Sequence, residues 1–311
     1  MSIALVVDAS CDIPESVIRE HGITVLPVTV TTDGQEMYDV REAAATLKYY
    51  QDHLVDKDKT VTTRALTPNE AVMIIERDCL PKADYVIVQT MSRTRSKFYD
   101  HLSEAASVLN TKLKAEGSNK VVRVMDARAL FAGVGVVAAH TQALINKGME
   151  GSEVRRLAAL IADHVHTFVV PPDLYYIRER ARQRGEDSIN FVSAVLGKAL
   201  GITPVVCGHR EKNFPCAKFK GFQAAVEGTL EHAIKQINRG TMKSPFVVIS
   251  YSGDLKDLNQ FQGIAHLREL HEDKTIRLLI STMGLSGATY LGPGSFSMGY
   301  ACDDNEWSKP V

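Results

Sequence analysis

The sequence predicts an α/β protein with a mainly parallel sheet in its N-terminal lobe and a second, mixed α/β lobe behind it. Two observations carry this expectation. Apolar runs of strand length alternate with helix-length segments through the first half of the chain, as βα units require. The first run, Ile3-Ala4-Leu5-Val6-Val7, is apolar without alternation, as in a strand covered on both faces. It feeds a polar turn, Asp8-Ala9-Ser10-Cys11-Asp12-Ile13-Pro14, at the carboxyl end of a strand, where open α/β sheets place ligand-binding atoms.

Taken in order, the elements follow from local chemistry. Pro14 suits the first position of a helix, with Asp12 as its N-cap. Further strands are expected over residues 23–30, 85–89 and 121–125. Thr67-Pro68 opens a helix, and another spans residues 130–147, closed by Gly148. A second unit begins near a helix over residues 152–165. A strand over 167–170 follows it and ends at the break Pro171-Pro172. Strands over 203–207, 246–251 and 276–281 then alternate with helices over 222–238 and 255–270. These runs divide the chain into lobes of residues 1–165 and 166–311.

The length of 311 residues accommodates two such lobes, each with its own core. With 36 basic against 37 acidic side chains, nothing calls for nucleic acid or an anionic membrane surface. Met1-Ser2-Ile3 lacks the basic start of a signal peptide, and no apolar run approaches the ~20 residues of a transmembrane segment. Five cysteines without metal-type spacing fit free thiols in a reducing compartment, so a cytoplasmic location is expected.

Three stretches carry candidate chemistry. Thr62-Thr63 stands just before the helix at Thr67-Pro68, where hydroxyls also serve as caps. Ser92-Arg93-Thr94-Arg95-Ser96 follows the strand over 85–89 and opens the next helix, a position that favours an anion. Hydroxyls there donate to a carboxylate or phosphate without carrying charge. Gly284 through Gly294 is too glycine-rich for an ordinary strand and implies backbone passing close to a ligand or to the opposite lobe. Gly133-Val134-Gly135-Val136-Val137-Ala138 matches a dinucleotide fingerprint only superficially, because it lies inside a helical pattern. His164 and His166 have no completing metal ligand nearby and read as structural. The chain contains neither a Gly-x-Ser-x-Gly elbow nor a Walker loop, so it offers no self-contained catalytic constellation and no cofactor site.

From Ile3 to about Tyr300 the ordered set of segments resembles the DegV family of fatty-acid-binding proteins, which includes the FakB subunits of bacterial fatty acid kinase. Asp8 through Pro14 is similar to the family's Asp-Ser-Thr-Ala-Asp-Leu-Pro opening, and His21 through Val30 to its second strand. Thr63 through Pro68 is similar to Thr-Ser-Gln-Pro-Ser-Pro. Ser92 through Tyr99 is similar to Ser-Ser-Lys-Leu-Ser-Gly-Thr-Tyr. Leu174 through Arg182 resembles the stretch ending in Gly-Gly-Arg, and Thr289 through Gly294 resembles Thr-His-Thr-Gly-Pro-Gly. Tyr290 stands where the family usually has histidine, Leu291 replaces a hydroxyl, and Arg180-Ala181 replaces the Gly-Gly pair. Arg64, Arg93 and Arg95 add charge to segments that are normally less basic.

The resemblance implies a non-catalytic, two-lobed carrier that buries a long-chain fatty acid in a tunnel, with the C-terminal lobe covering the acyl chain. Thr63 and Ser96, with Ser92 third, would hold the carboxylate at the interlobe cleft. Arg182, Tyr290 and Arg95 would contact the head group or a partner. At ~0.8 kcal/mol per buried methylene, fourteen methylenes contribute about 11 kcal/mol before ordering costs. A kinase subunit would supply ATP and metal and convert the presented acid to an acyl phosphate. The competing reading is an α/β enzyme acting on a small anionic metabolite in the same cleft, with Arg95 or Arg182 binding the anion.

Overall fold

The computed structural model describes residues 2–183, 201–303 and 305–307. Strand β1 (Ile3–Asp8) sits inside a four-stranded parallel sheet of order β2-β1-β6-β7, with β2 (Thr24–Leu26), β6 (Tyr85–Thr90) and β7 (Val121–Asp126). Every residue of β6 is buried, from the apolar run Tyr85–Val88 to the polar Gln89 and Thr90 at its end. A three-stranded antiparallel sheet of order β4-β3-β5 stands beside it, built from β3 (Val28–Thr32), β4 (Gln35–Asp39) and β5 (Val61–Arg64). The later strands form a mixed sheet of order β10-β9-β8-β13-β11-β12. They are β8 (Val165–Val170), β9 (Ile202–His209), β10 (Lys212–Lys220), β11 (Met242–Tyr251), β12 (Arg277–Thr282) and β13 (Phe296–Cys302), and only β11 and β12 pair in parallel.

The helices are α1 (Glu15–His21), α2 (Ala43–Gln51), α3 (Pro68–Asp78), α4 (Phe98–Ala115), α5 (Phe131–Asn146), α6 (Gly151–Ala162), α7 (Tyr175–Gln183), α8 (Phe222–Asn238), α9 (Gln262–Glu272) and α10 (Leu285–Leu291). They are layered around the two large sheets. α3 and α4 cover the outer face of the parallel sheet, and α8 and α9 cover the far face of the mixed sheet. α5 lies between the two and touches β1, β8, β11 and β13. A helix in that position must be apolar all round, and 12 of its residues are buried. Gly133 belongs to this packing. A Cβ there would meet Thr167 Oγ1 at 1.9 Å, and a Cβ on Gly299 of β13 would meet the Gly133 backbone nitrogen at 2.7 Å. The glycine spacing of residues 133–138 therefore seats a helix directly on a sheet.

Several expectations are corrected. The strand expected over 23–30 is two strands in different sheets, divided at Pro27, which cannot continue a ladder because it has no N–H. The helix expected over 255–270 is a 3-10 segment, Leu255–Gln260, and then α9, separated by Phe261 in extended conformation. The helix expected over 152–165 ends at Ala162, and Val165 already pairs with Ala301. Pro14 is the N-cap of α1 and not its first helical residue, and Asp12 does not cap it. By contrast Thr67 caps α3 through a capping box with Glu70, with Pro68 in the first turn.

The α5–β13 contact makes a direct prediction. Gly299→Ala pushes a methyl group into helix backbone that has no side chain to rotate away, so it should cost about 1–3 kcal/mol. Urea unfolding of the variant checks this, with the midpoint falling and the slope unchanged.

Candidate functional site

The turn after β1 builds a buried polar frame. Asp8 is fully buried, and its carboxylate accepts hydrogen bonds from the backbone and hydroxyl of Ser10 and, at 2.6 Å, from Met91 N. Burial pushes the Asp8 carboxyl above the usual carboxylate range, against the opposing pull of those donors. The bond to Met91 fixes the start of the loop that carries residues 92–96.

Asp12 is also buried. Its carboxylate lies 3.0 Å from Arg41 Nη1 and accepts from Ser250 Oγ at 2.6 Å and Gly284 N at 2.9 Å. Arg41 donates to Thr282 O at 2.7 Å. Asp39, at the end of β4, accepts from Arg41 N at 3.0 Å and Leu285 N at 2.7 Å. Burial raises the pKa of both carboxyls, with Arg41 opposing the rise. Burial also works against the charge on Arg41, but Asp12 and Asp39 more than offset it. Tyr50 adds hydrogen bonds to Met283 O and Gly284 O. Gly284 must be glycine here, because a Cβ would meet Arg41 Nη1 at 2.4 Å and Ala9 O at 2.9 Å. The close approach expected of the glycine-rich stretch is thus to this ion-pair network. The same stretch also forms α10, which sequence reasoning did not anticipate.

Below this frame lies a cavity of about 620 Å³, within the usual range of about 300–1,000 Å³ for ligand sites. Val28, Ala65, Met91, Phe98, Leu130 and Phe131 supply apolar wall. Thr63, Ser96, Arg95, His101, Ser286 and Tyr290 supply polar groups. Thr63 comes from β5, an edge strand, where it pairs with Val30. Ser96 stands just ahead of α4, and its Oγ accepts from Phe98 N at 3.2 Å. Phe131 begins α5 at φ 46°, an uncommon conformation for a bulky residue. It packs near the Tyr290 ring with centroids 6.4 Å apart. Arg95 is met by the β9–β10 hairpin, where the Asn213 amide oxygen, turned toward it, accepts from Nη2 at 3.0 Å.

Of the residues expected at the site, the cavity brings together Thr63, Ser96, Arg95 and Tyr290. Ser92 is not among its walls. Ser92 is 2% exposed, its hydroxyl shares a 3.0 Å hydrogen bond with Thr94, and its N–H donates to Ala129 O. It is spent on shaping the loop. Arg182 is exposed, pairs with Glu179 at 2.7 Å, and lines a different cavity of about 370 Å³ with Lys57, Lys59, Tyr175, Tyr176 and Thr289. The side chains of Arg180 and Ala181, and Arg184 at the end of the basic stretch, lie outside the described residues.

Of the added arginines, Arg64 lines the cavity but is held by Glu70 at 2.9 Å. That pairing, the first cause, lowers the Glu70 pKa to about 2. Arg93 faces Asp126 and Glu211, each at 3.9 Å. His101 and Ser286 were missed by sequence reasoning because neither lies in a hydroxyl cluster and only the fold brings them to one wall. His166 stacks on His209 at 3.9 Å, and among the described residues no group of three or more histidine, cysteine or acidic side chains is placed to hold a metal.

Comparison with known proteins follows this geometry. A family profile described as an uncharacterised protein of the DegV family matches residues 2–303. A DegV domain-containing protein of Xanthomonas axonopodis pv. citri is 32% identical, over 99% of this chain and 100% of that protein. Among solved structures, DegV of Bacillus subtilis, described as a fatty acid binding protein, superposes with TM-score 0.75 at 17% identity. That match covers 97% of this chain and 100% of the other. The fatty acid kinase B3 protein of Streptococcus pneumoniae, loaded with linoleic acid, gives 0.71 at 16% identity with the same coverage. The described helices include none long and apolar enough to cross a membrane.

The frame yields a prediction of its own. Arg41→Met leaves Asp12 and Asp39 buried without their cation, and this should cost about 3–5 kcal/mol in urea unfolding.

Proposed function

The chain belongs to the DegV family, and on that premise we propose that it binds a long-chain fatty acid in the 620 Å³ cavity, carboxylate toward Thr63 and Ser96. The observation that carries this reading is the composition of the walls of one cavity. Six apolar side chains offer burial to a methylene chain, while hydroxyls and a guanidinium are gathered in the same space. An unpaired buried carboxylate is costly, and such donors are what it needs. A small anionic metabolite would leave the surfaces of Met91, Phe98, Leu130 and Phe131 without a partner, so the competing enzyme reading has less support.

The protein acts in this reading as a non-catalytic cytoplasmic carrier that needs no cofactor or metal of its own. Its lobes, residues 1–165 and 166–311, meet at the cleft where the carboxylate lies. A fatty acid kinase subunit is the partner that would supply ATP and metal. Arg182, exposed and outside the acyl cavity, is suited to that partner or to a phosphate and not to the lipid. β5 and α10 border both cavities, through Val61 and Thr289 on one side and Thr63 and Tyr290 on the other. The carboxylate end and the partner-facing end are therefore adjacent.

Two measurements test this reading. Thr63→Ala with Ser96→Ala removes two hydrogen bonds to a charged group. It should weaken palmitate binding by about 3 kcal/mol, roughly 150-fold, in calorimetry on delipidated protein. Unchanged affinity would place the carboxylate elsewhere. Tyr290 stands where the family usually has an imidazole, a group that can carry positive charge near neutral pH. Tyr290→His should therefore raise acyl phosphate formation with a fatty acid kinase several-fold while leaving lipid affinity within about twofold. Equal rates in the two proteins would make the replacement silent.

A further inference from the structure

Ser286 is the one cavity-wall residue whose hydroxyl is buried and finds no hydrogen-bond partner among the described residues. Leaving a buried hydroxyl unsatisfied is costly, so such groups either pair or mark a place where something else binds. Its surroundings keep it there. The backbone N–H of Leu285 donates to Asp39, and Asp39 is itself held by the backbone N–H of Arg41. The first turn of α10 is thereby pinned to the buried ion-pair frame. Ser286 also stands four residues before Tyr290, and residues so spaced share one helix face. Both line the same cavity.

We infer that Ser286 is a head-group-binding residue, its hydroxyl donating to the carboxylate of the bound acyl anion from the α10 side of the cavity. The inference rests on the fatty-acid reading above and extends it. The carboxylate is gripped from two directions, by Thr63 and Ser96 from β5 and the loop before α4, and by Ser286 from α10. A carboxylate has two oxygens and about four lone-pair sites, enough to accept from all three hydroxyls at once. Because α10 is fixed by the Asp12–Arg41–Asp39 network, the head-group site is a preformed feature of the fold.

The test uses the full-length delipidated protein, with palmitate and the neutral hexadecanol as probes, each titrated by calorimetry. Ser286→Ala removes an unsatisfied hydroxyl and adds a better helix former, so the ligand-free melting temperature should hold or rise slightly. Palmitate affinity should fall about tenfold, as for loss of a hydrogen bond to a charged group, while hexadecanol affinity changes by less than threefold. Carboxyl-labelled palmitate should show a changed ¹³C chemical shift in the variant. Unchanged palmitate affinity and carboxyl shift, with wild type binding normally, would overturn the role of Ser286 alone. Equal losses for palmitate and hexadecanol would assign Ser286 to chain packing and overturn it too. No binding of palmitate by wild type would overturn the fatty-acid reading, and the role of Ser286 with it.

Discussion

The buried ion pair of Arg41 with Asp12, and the hold of Asp39 on both Arg41 and α10, position the rest of this molecule. Asp12 belongs to the turn after the first strand, Arg41 and Asp39 to the end of the small antiparallel sheet, and their partners Thr282, Gly284 and Leu285 to the end of β12 and the start of α10. Two segments near the start of the chain are thereby joined, by charge and directed hydrogen bonds, to a third more than two hundred residues further on. Such a network contributes little net stability compared with an apolar core of equal volume. What it supplies is placement, since a buried guanidinium paired with Asp12, donating to Thr282 O and tied to Asp39 through its own backbone N–H admits few alternative registers. Close approach at Gly284 completes the constraint by excluding any side chain from the junction.

That placement explains how the cavity combines groups of opposite character. β5 is an edge strand and brings Thr63 to the wall, the loop fixed by Asp8 brings Arg95 and Ser96, and pinned α10 brings Ser286 and Tyr290. The apolar part comes from α4, from the strained start of α5 and from β3. The loop before α4 and the first turn of α10 are each held by a buried carboxylate, Asp8 through Met91 N and Asp39 through Leu285 N.

Much of this architecture was legible in the sequence. Apolar runs without alternation identified the parallel strands, and Thr67-Pro68 with Glu70 marked a helix start that forms as expected. Thr63 and Ser96, which line the cavity, are legible as candidates because hydroxyls ahead of helix starts are visible locally. The failures share a cause, which is that the deciding partner is remote. Asp12 looks like a cap because Pro14 follows two residues on, yet its real partners are Arg41, Ser250 and Gly284. Ser92 looks like Ser96, but its hydroxyl is taken by Thr94 inside a tight turn. The run over 23–30 reads as one strand because periodicity cannot report that Pro27 hands the chain from one sheet to another. Strand β10 and helix α10 went unseen because short or mixed-polarity segments take their structure from neighbours. Arg182 and Tyr290 were grouped as one contact set, and the fold places them in separate cavities.

The most direct test of a fatty acid held by its carboxylate among these hydroxyls is a crystal structure of the full-length protein soaked or co-crystallised with palmitate. The account predicts an acyl chain along Met91, Phe98, Leu130 and Phe131, with carboxylate oxygens within hydrogen-bond distance of Thr63 and Ser96. A palmitate whose carboxylate lies in the cavity beside Arg182, Lys57 and Tyr176, with the 620 Å³ cavity holding no lipid, would contradict it.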